Sequence, residues 1–285
     1  MSISVESISK AVGARVTNID LREEMSPEVF KAVHQAMMDY QVLVFPGQNL
    51  AEEDQVRFTS RFGEIGGRNR KVPTAEGKSV LHPGIMLISN IRKDGKPIGS
   101  LPDGEMMFHS DGAYAKRPFR YTLLYAIEIP SSGGNTKFAN MYKAYDALPE
   151  LLKARLVNAR AEQVYYAGSV EKNKPSNSLT GKRLHPLFIA HEETGRTALY
   201  ASRLITTRIE GLAPAESDEI LERIFEISEQ EEFVYEHVWT PGDLVMWDNR
   251  CTNHARTNFS PGERRLLRRT TVFGVDPVPA SSEAA

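Results

Sequence analysis

The stretch FRYTLLYAIEIPSSGGNTKFANM, residues 119–141, contains two runs of strand-forming residues separated by the turn SSGG. Aromatic and β-branched residues favour strands, and paired glycines favour a turn. Similar runs occur elsewhere, as GARVTNIDL (13–21), QVLVFPG (41–47), FVYEHVWTPGDLVMWDN (233–249) and RRLLRRTTVFGV (264–275). With no internal repeat and no linker, these strands predict one domain over residues 1–285. It is mainly β with helices (α+β), an antiparallel barrel or sandwich.

Helices are predicted mostly at the edges of this pattern. Apolar residues recur at helical spacing in residues 25–40, where Ser26 is a candidate N-cap followed by Pro27. Further helices are predicted over 50–63, over 144–164 with a break near Pro149, and over 217–232. Residues 66–107 are rich in Gly, Pro, Lys and Asp and are interpreted as a mobile lid loop. Residues 168–185 are interpreted as a polar loop, and residues 276–285 as a disordered tail.

Composition excludes several classes of protein. The chain has 285 residues, 41% hydrophobic and 25% charged, and its net charge of -2 points to neither nucleic acid nor an anionic membrane as partner. A single cysteine, Cys251, excludes an internal disulfide and is interpreted as a small buried filler. No signal peptide and no run of about 18 apolar residues is visible. A cytoplasmic location is therefore expected.

The segment FHSDGAY, residues 108–114, is a candidate half of a metal site. In an extended chain His109 and Asp111 project to the same face. His254, which follows an apolar strand, is the best candidate for a second imidazole, and two histidines with one carboxylate suit non-haem Fe(II). The other histidines considered are His34, in the first helix and interpreted as structural, and His185 and His191, in or near polar loops.

The strand at residues 264–274 carries an unusual number of arginines. A period of two places Arg265, Leu267 and Arg269 on one face and Arg264, Leu266 and Arg268 on the other. Whichever face is buried contains two guanidinium groups, which need partners. No matching acids are nearby in sequence, so bound anions are one explanation. An exposed edge strand is the alternative.

Taken together, the motifs resemble the TauD/TfdA family of Fe(II)/2-oxoglutarate-dependent dioxygenases. The resemblance rests on His109-x-Asp111, GGNT ending at Thr136, WDNRCTNH at 247–254, and Arg265 eleven residues later. The N-terminal stretches GARVTNIDL, VLVFPGQ and RFGEI are also similar to that family, so the resemblance runs from about residue 10 to 275.

This resemblance implies a double-stranded β-helix (jelly-roll) core with flanking helices and a long active-site loop. It implies His109, Asp111 and His254 as ligands of Fe(II), with 2-oxoglutarate and O2 as co-substrates. Arg265 and Thr136 would bind 2-oxoglutarate, and Arg269 would bind an acidic group of the primary substrate. A histidine that assists this grip in the taurine enzyme is absent here, and Arg68 or Arg70 is the candidate replacement.

The reaction implied is hydroxylation of a small acid, with release of succinate and CO2. The acid would be a sulfonate, an aryloxyalkanoate or another carboxylate. Where the hydroxylated carbon carries a leaving group, the hydroxylated product would collapse to a carbonyl compound. Halogenases of the superfamily lack the ligand carboxylate, so Asp111 favours hydroxylation. A zinc hydrolase and a non-catalytic barrel that binds a small acid are the alternatives. We also expect a homo-oligomer, a dimer or tetramer.

Apolar residues near the motifs have two possible roles. Trp247 and Phe108 are expected to pack around the iron ligands. Five others line either the substrate pocket or the core: Met106, Met107, Tyr114, Tyr165 and Tyr166.

Overall fold

The computed structural model describes residues 2–67, 82–101, 104–166, 168–171 and 179–280. Within these residues strands predominate, which confirms the prediction of a mainly β chain with helices. The helices are α1 (Pro27–Tyr40), α2 (Glu52–Ser60), α3 (Met141–Asp146), α4 (Glu150–Leu156) and α5 (Pro214–Ser228). A short 3-10 helix spans Glu231–Phe233. No helix in the described ranges is long and apolar enough to cross a membrane.

The larger sheet has seven strands and gathers segments from the whole length of the chain. In spatial order they are β1 (Ser4–Ser7), β2 (Ala14–Thr17), β3 (Val42–Phe45), β16 (Leu244–Asp248), β8 (Phe119–Glu128), β18 (Leu266–Phe273) and β4 (Met86–Ser89). All neighbours pair antiparallel except β2 and β3. The arginine-rich strand β18 lies between β8 and β4, so it is not an exposed edge strand.

The second sheet has four antiparallel strands and faces the first. They are β15 (Val234–His237), β9 (Thr136–Asn140), β17 (Thr252–Arg256) and β7 (Met106–His109). The turn SSGG therefore carries the chain from one sheet to the other, since β8 and β9 belong to different sheets. The rings of Phe138 and Trp247, one from each sheet, lie 5.3 Å apart. This contact belongs to an apolar core shared by the two sheets.

Smaller sheets complete the fold. One contains β11 (Leu179–Pro186), β10 (Arg160–Tyr166) and β14 (Thr206–Ile209), and another contains β13 (Thr197–Leu199), β12 (Phe188–Ala190) and β19 (Val278–Pro279). The strands β5 (Arg92–Lys93) and β6 (Lys96–Pro97) form a two-stranded hairpin. Helices α1 and α2 pack on the seven-stranded sheet through Met37 and Phe58.

Three predictions about local structure are wrong in part. Residues 160–164 form strand β10 rather than the end of a helix, because they are held between β11 and β14. Residues 179–185 of the predicted polar loop form strand β11. The predicted disordered tail is ordered at least to Ala280, because Val278 and Pro279 pair with β12 as an added edge strand. Residues 281–285 lie outside the described part.

The predicted lid range, residues 66–107, is only partly described. Its described residues include strands β4, β5, β6 and the start of β7, and β4 is paired with β18. Residues 68–81, with Arg68 and Arg70, and residues 102–103 lie outside the described part. Mobility of this range therefore stays a prediction.

Candidate active site

Two histidines meet across the four-stranded sheet. His109 ends β7 and His254 lies in β17, and the two residues are direct register partners. Their rings are 4.1 Å apart between centroids, and both side chains are buried. The ring of Trp247 lies 4.7 Å from that of His254, as expected for a residue that packs around the site. Adjacent strands thus hold two imidazoles side by side.

Asp111 joins them from the turn that follows β7. Only His109 is in the strand, and Asp111 lies in a turn that continues through Gly112, which has a φ of +74°. Asp111 Oδ1 lies 3.9 Å from His109 Nε2. One donor atom from each of Asp111, His109 and His254 lies within 4.8 Å of the others. The structure thus brings together the three residues that the sequence singles out.

The protonation states in this cluster suit a divalent metal. Burial lowers the pKa of His109, and burial together with His109 lowers the pKa of His254 to about 3. Burial alone would raise the pKa of Asp111, but Arg269 and the two histidines outweigh it and lower that pKa to about 2. At neutral pH the cluster therefore offers two neutral imidazoles and one carboxylate. His254 Nδ1 is buried without a hydrogen-bond partner in the described ranges.

Arg265 is the second notable feature, in a position that the alternation of β18 predicts. The residue is 1% exposed, and the one hydrogen bond that its guanidinium makes among the described residues runs from Nη2 to the Gly134 carbonyl, 3.1 Å. Burial, with a smaller contribution from the charge of Arg256, lowers the pKa of Arg265 to about 9. A guanidinium in this environment is a strong binding group for a carboxylate.

Thr136 begins β9, two residues after the acceptor of Arg265. Its hydroxyl oxygen accepts a hydrogen bond from Trp239 Nε1 at 3.0 Å and is nearly buried. Because the indole N–H can only donate, the hydroxyl proton of Thr136 remains available for another acceptor. Sequence reasoning singled out Thr136 but did not foresee Trp239 as its partner.

Arg269 points from β18 towards the cluster of Asp111 and the two histidines. Its Nη1 lies 3.4 Å from Asp111 Oδ1, and a quarter of its side chain is exposed. A partly exposed positive charge thus lies beside the candidate metal ligands. On the opposite side of the same strand, Arg268 donates to the Leu50 carbonyl and lies over the ring of Tyr125.

Two tyrosines stack close to this charge pair. The rings of Tyr114 and Tyr165 are 5.1 Å apart and nearly parallel, at 19°. Burial, and then the charge of Asp111, raises the pKa of Tyr114 to about 12. Both rings are half-buried, as are Met106, Met107 and Tyr166, so none of the five residues named from the sequence is fully in the core.

A second polar cluster was not foreseen. Asp248 accepts from His191 Nε2 at 3.0 Å and from Arg250 Nε at 2.9 Å, and Cys251 lies beside it. All of these donors and acceptors are paired with one another, so the cluster is structural. His185 lies in strand β11 rather than in a loop, whereas His191 follows β12 in a turn, as expected. Both histidines are buried, and Cys251 is buried as expected. His34 lies on α1 and pairs with Glu193, in agreement with a structural role.

Comparison with known proteins gives the same family as the motifs. The profile of the family described as "Taurine catabolism dioxygenase TauD, TfdA family" matches residues 4–271. The alpha-ketoglutarate-dependent 2,4-dichlorophenoxyacetate dioxygenase of Cupriavidus pinatubonensis is 33% identical over 96% of this chain and 98% of its own. Pentalenolactone F synthase of Streptomyces avermitilis is 35% identical over 94% of this chain and 92% of its own.

A solved structure extends the likeness to the fold. The crystal structure of AAD-2 in complex with Mn(II) and N-oxalylglycine is 31% identical with a TM-score of 0.82, and the match covers 98% of this chain and 99% of that one. These matches favour a dioxygenase over a zinc hydrolase or a non-catalytic barrel that binds a small acid. The chain belongs to the TauD/TfdA family and is an alpha-ketoglutarate-dependent dioxygenase, alpha-ketoglutarate being another name for 2-oxoglutarate.

Proposed function

We propose that the chain hydroxylates a small aryl-bearing carboxylic acid, with Fe(II), 2-oxoglutarate and O2. The observation that carries the proposal is the placement of Arg269, whose guanidinium lies 3.4 Å from Asp111 at the His/Asp/His cluster. An acid held by Arg269 has its neighbouring carbon next to the metal ligands, where hydroxylation takes place. The 2,4-dichlorophenoxyacetate relative acts on an acid of this kind.

His109, Asp111 and His254 would hold the metal. Two neutral imidazoles and one carboxylate are the ligand set of non-haem Fe(II) enzymes, and three ligands leave coordination positions for the co-substrate and O2. When bound, Fe(II) supplies the redox chemistry that couples decarboxylation of 2-oxoglutarate to oxidation of a substrate C–H bond. The protein contributes position and the exclusion of side reactions.

Arg265 and Thr136 would bind 2-oxoglutarate. The support is a buried guanidinium without a carboxylate partner in the described part of the chain, together with the donor hydroxyl of Thr136 at the start of β9. The distal carboxylate of 2-oxoglutarate would accept from both groups. Bidentate pairing would also remove the cost of the buried charge.

The substrate would be held at its acid end by Arg269 and at its apolar end by the tyrosine pair. Stacked aromatic rings offer a flat surface on which an aryl group packs well. One O2 oxygen enters succinate and the other enters the hydroxyl group. If the hydroxylated carbon also carries an ether oxygen, the product collapses to a carbonyl compound and a phenol. Assistance from Arg68 stays a proposal, since Arg68 lies outside the described residues.

The architecture that we propose around this site is the double-stranded β-helix. Its support is the pair of facing, mainly antiparallel sheets, of seven and four strands, with the candidate ligands on β7, β17 and the turn after β7. A single domain over residues 1–285 and a homo-oligomer, a dimer or tetramer, complete the proposal. Light scattering coupled to size-exclusion chromatography tests the assembly.

A turnover screen tests the function. The protein is incubated with Fe(II), ascorbate, 2-oxoglutarate and one acid at a time: phenoxyacetate, an aryl sulfonate, taurine or a short aliphatic acid. We expect substrate-dependent succinate to be highest with phenoxyacetate and absent in Asp111→Ala. If none of the aryl acids raises succinate above the level without substrate, or if only taurine does so, the proposal of an aryl acid as substrate is wrong. Full activity of Asp111→Ala contradicts the site.

A further inference from the structure

A buried hydrogen-bond relay reaches Asp111 from the turn between β16 and β17. Asn249 Oδ1 accepts from Trp247 Nε1 at 3.0 Å and from the Asp111 backbone N–H at 3.3 Å. Its Nδ2 donates to Thr122 Oγ1 at 2.9 Å. The hydroxyl of Thr122 in turn donates to Asp111 Oδ2 at 2.8 Å. Asn249 and Thr122 are 2% and 0% exposed, so water does not compete for these bonds.

The direction of the relay follows from the chemistry of its donors. The indole and backbone N–H groups can only donate, so the side-chain atom of Asn249 that faces them is the oxygen. Its amide nitrogen must then face Thr122. Because Thr122 Oγ1 receives that N–H, the single hydroxyl proton of Thr122 is directed at the Asp111 carboxylate. No alternative orientation of the amide satisfies all of these groups.

The relay distinguishes the two oxygens of Asp111. Oδ2 is bonded to Thr122, whereas Oδ1 faces His109 Nε2 at 3.9 Å and Arg269 Nη1 at 3.4 Å. Thr122 belongs to β8 in the seven-stranded sheet, while the two histidines belong to the four-stranded sheet. The relay therefore fixes Asp111 relative to histidines that a different sheet carries.

A further bond secures the same turn. The hydroxyl of Ser110 donates to the backbone carbonyl of Asn249 at 2.8 Å. The segment that carries Asp111 is thus tied to the segment before β17 through both the side chain and the backbone of Asn249. A partial rotation of the Asp111 carboxylate would break the bond from Thr122, and a half-turn would only exchange two equivalent oxygens.

We propose that Thr122 and Asn249 are positioning residues that hold Asp111 with Oδ1 presented to the metal and Oδ2 withheld from it. This inference rests on the proposed metal site. Hydrogen-bond partners of metal ligands commonly change metal affinity by 10- to 100-fold when removed. The sequence contains both residues, and Asn249 lies within the quoted motif WDNRCTNH, but periodicity gives no reason to connect it with Thr122.

The test compares Thr122→Val with Thr122→Ser and with a matched control. Valine keeps the shape and removes the hydroxyl, whereas serine keeps the hydroxyl. Thr59→Val is the control, because Thr59 is equally buried but lies on α2 and bonds to Gln55 and Thr270. Mn(II) affinity is measured by calorimetry on the full chain, and the Co(II) absorption spectrum reports the ligand geometry.

We expect Thr122→Val to weaken Mn(II) binding about 10- to 100-fold and to alter the Co(II) spectrum. Thr122→Ser should retain wild-type affinity, and Thr59→Val should lose thermal stability without a change in metal affinity. If the valine variant does not fold, Thr122→Ala replaces it with the same expectation. Wild-type Mn(II) affinity in a folded variant without the hydroxyl overturns the relay. Wild-type affinity in Asp111→Ala as well overturns the metal site itself.

Discussion

Arg265 is the residue at which burial and charge conflict most directly. Its guanidinium is 1% exposed and its pKa is lowered to about 9, from 12.5, chiefly by burial. Because the folded-state pKa is lower than the ordinary value, the charged side chain costs folding free energy at every pH below about 9. This cost declines as the pH rises from about 9 towards 12.5. A carboxylate bound to Arg265 would remove it at neutral pH.

Replacement of Arg265 by methionine is therefore expected to stabilise the protein in the absence of ligands. Removal of a buried, unpaired charge should raise the free energy of unfolding by about 1–4 kcal/mol at pH 7. Urea unfolding checks this expectation. Arg264→Met is the matched control, since Arg264 is exposed and pairs with Glu128, and it should change stability by less than about 0.5 kcal/mol. A less stable Arg265→Met protein contradicts the account.

The same residue should dominate the affinity for 2-oxoglutarate. Arg265→Ala is expected to weaken binding by about 2–5 kcal/mol, because a buried carboxylate loses its charged partner. Thr136→Ala should cost only about 1 kcal/mol, the value of a neutral hydrogen bond. Calorimetry with the Mn(II)-loaded protein measures both. Equal affinity in wild type and Arg265→Ala is the result that rejects this role.

At the scale of elements, the turn SSGG holds the acceptor of Arg265 in place. Gly133 has a φ of +71°, and a Cβ there would lie 2.2 Å from the Asn258 carbonyl oxygen. The next residue, Gly134, supplies the carbonyl that accepts from Arg265. The turn therefore connects the two sheets and also sets the position of the carbonyl that accepts from Arg265.

Gly133→Ala should consequently lower the free energy of unfolding by more than the loss of a left-handed glycine alone would explain. Gly195 is the matched control, because its φ of +69° is similar and a Cβ there meets nothing within 4 Å. We expect Gly195→Ala to cost about 1–2 kcal/mol from backbone strain, and Gly133→Ala to cost about 1–3 kcal/mol more from overpacking. Only Gly133→Ala should also weaken 2-oxoglutarate binding. Equal losses of stability in chemical denaturation would contradict the clash.

Elements with local signals were predicted well from the sequence. Helix α1 begins after Ser26, whose hydroxyl accepts from the Val29 N–H, as the cap and Pro27 indicate. The alternation of residues 264–274 grouped Arg265 with Arg269; in the structure Arg265 precedes β18 and bonds to the Gly134 carbonyl, while Arg269 lies within β18 and reaches Asp111. Residues 160–164 of β10 were predicted as the end of a helix, because pairing with β11 and β14 decides their conformation and leaves no mark in the local sequence.

The candidate site divides in the same way. The residue types and spacing of His109, Asp111 and His254 were sufficient to select them from the sequence. Their support was not predictable, since the bonds of Asp111 to Thr122 span 11 positions and those to Asn249 span 138. Such contacts depend on which strands become neighbours, and single-sequence periodicity does not contain that information.

At the scale of the whole molecule, the residues that we propose to bind metal, 2-oxoglutarate and substrate come from both sheets. His109 and His254 belong to the four-stranded sheet, while Arg265 precedes β18 and Arg269 lies within it, in the seven-stranded sheet. Binding of metal and 2-oxoglutarate would therefore connect the sheets in addition to their shared apolar core. A single domain with this arrangement is expected to unfold as one unit.

The two tryptophans make this expectation measurable. Trp239 and Trp247 are the only tryptophans in the sequence, and both are buried in the core between the sheets. If the chain is one cooperative unit, denaturation followed by tryptophan fluorescence should coincide with denaturation followed by far-ultraviolet circular dichroism.

Addition of Mn(II) and 2-oxoglutarate should raise the free energy of unfolding equally in both measurements. With 2-oxoglutarate at 100 times its own dissociation constant, its contribution should be about 2.7 kcal/mol. In Arg265→Ala the shift due to Mn(II) should remain and that due to 2-oxoglutarate should be largely lost. A fluorescence transition that precedes the circular dichroism transition would instead indicate that the sheets separate before the remaining structure unfolds, and would contradict a single domain.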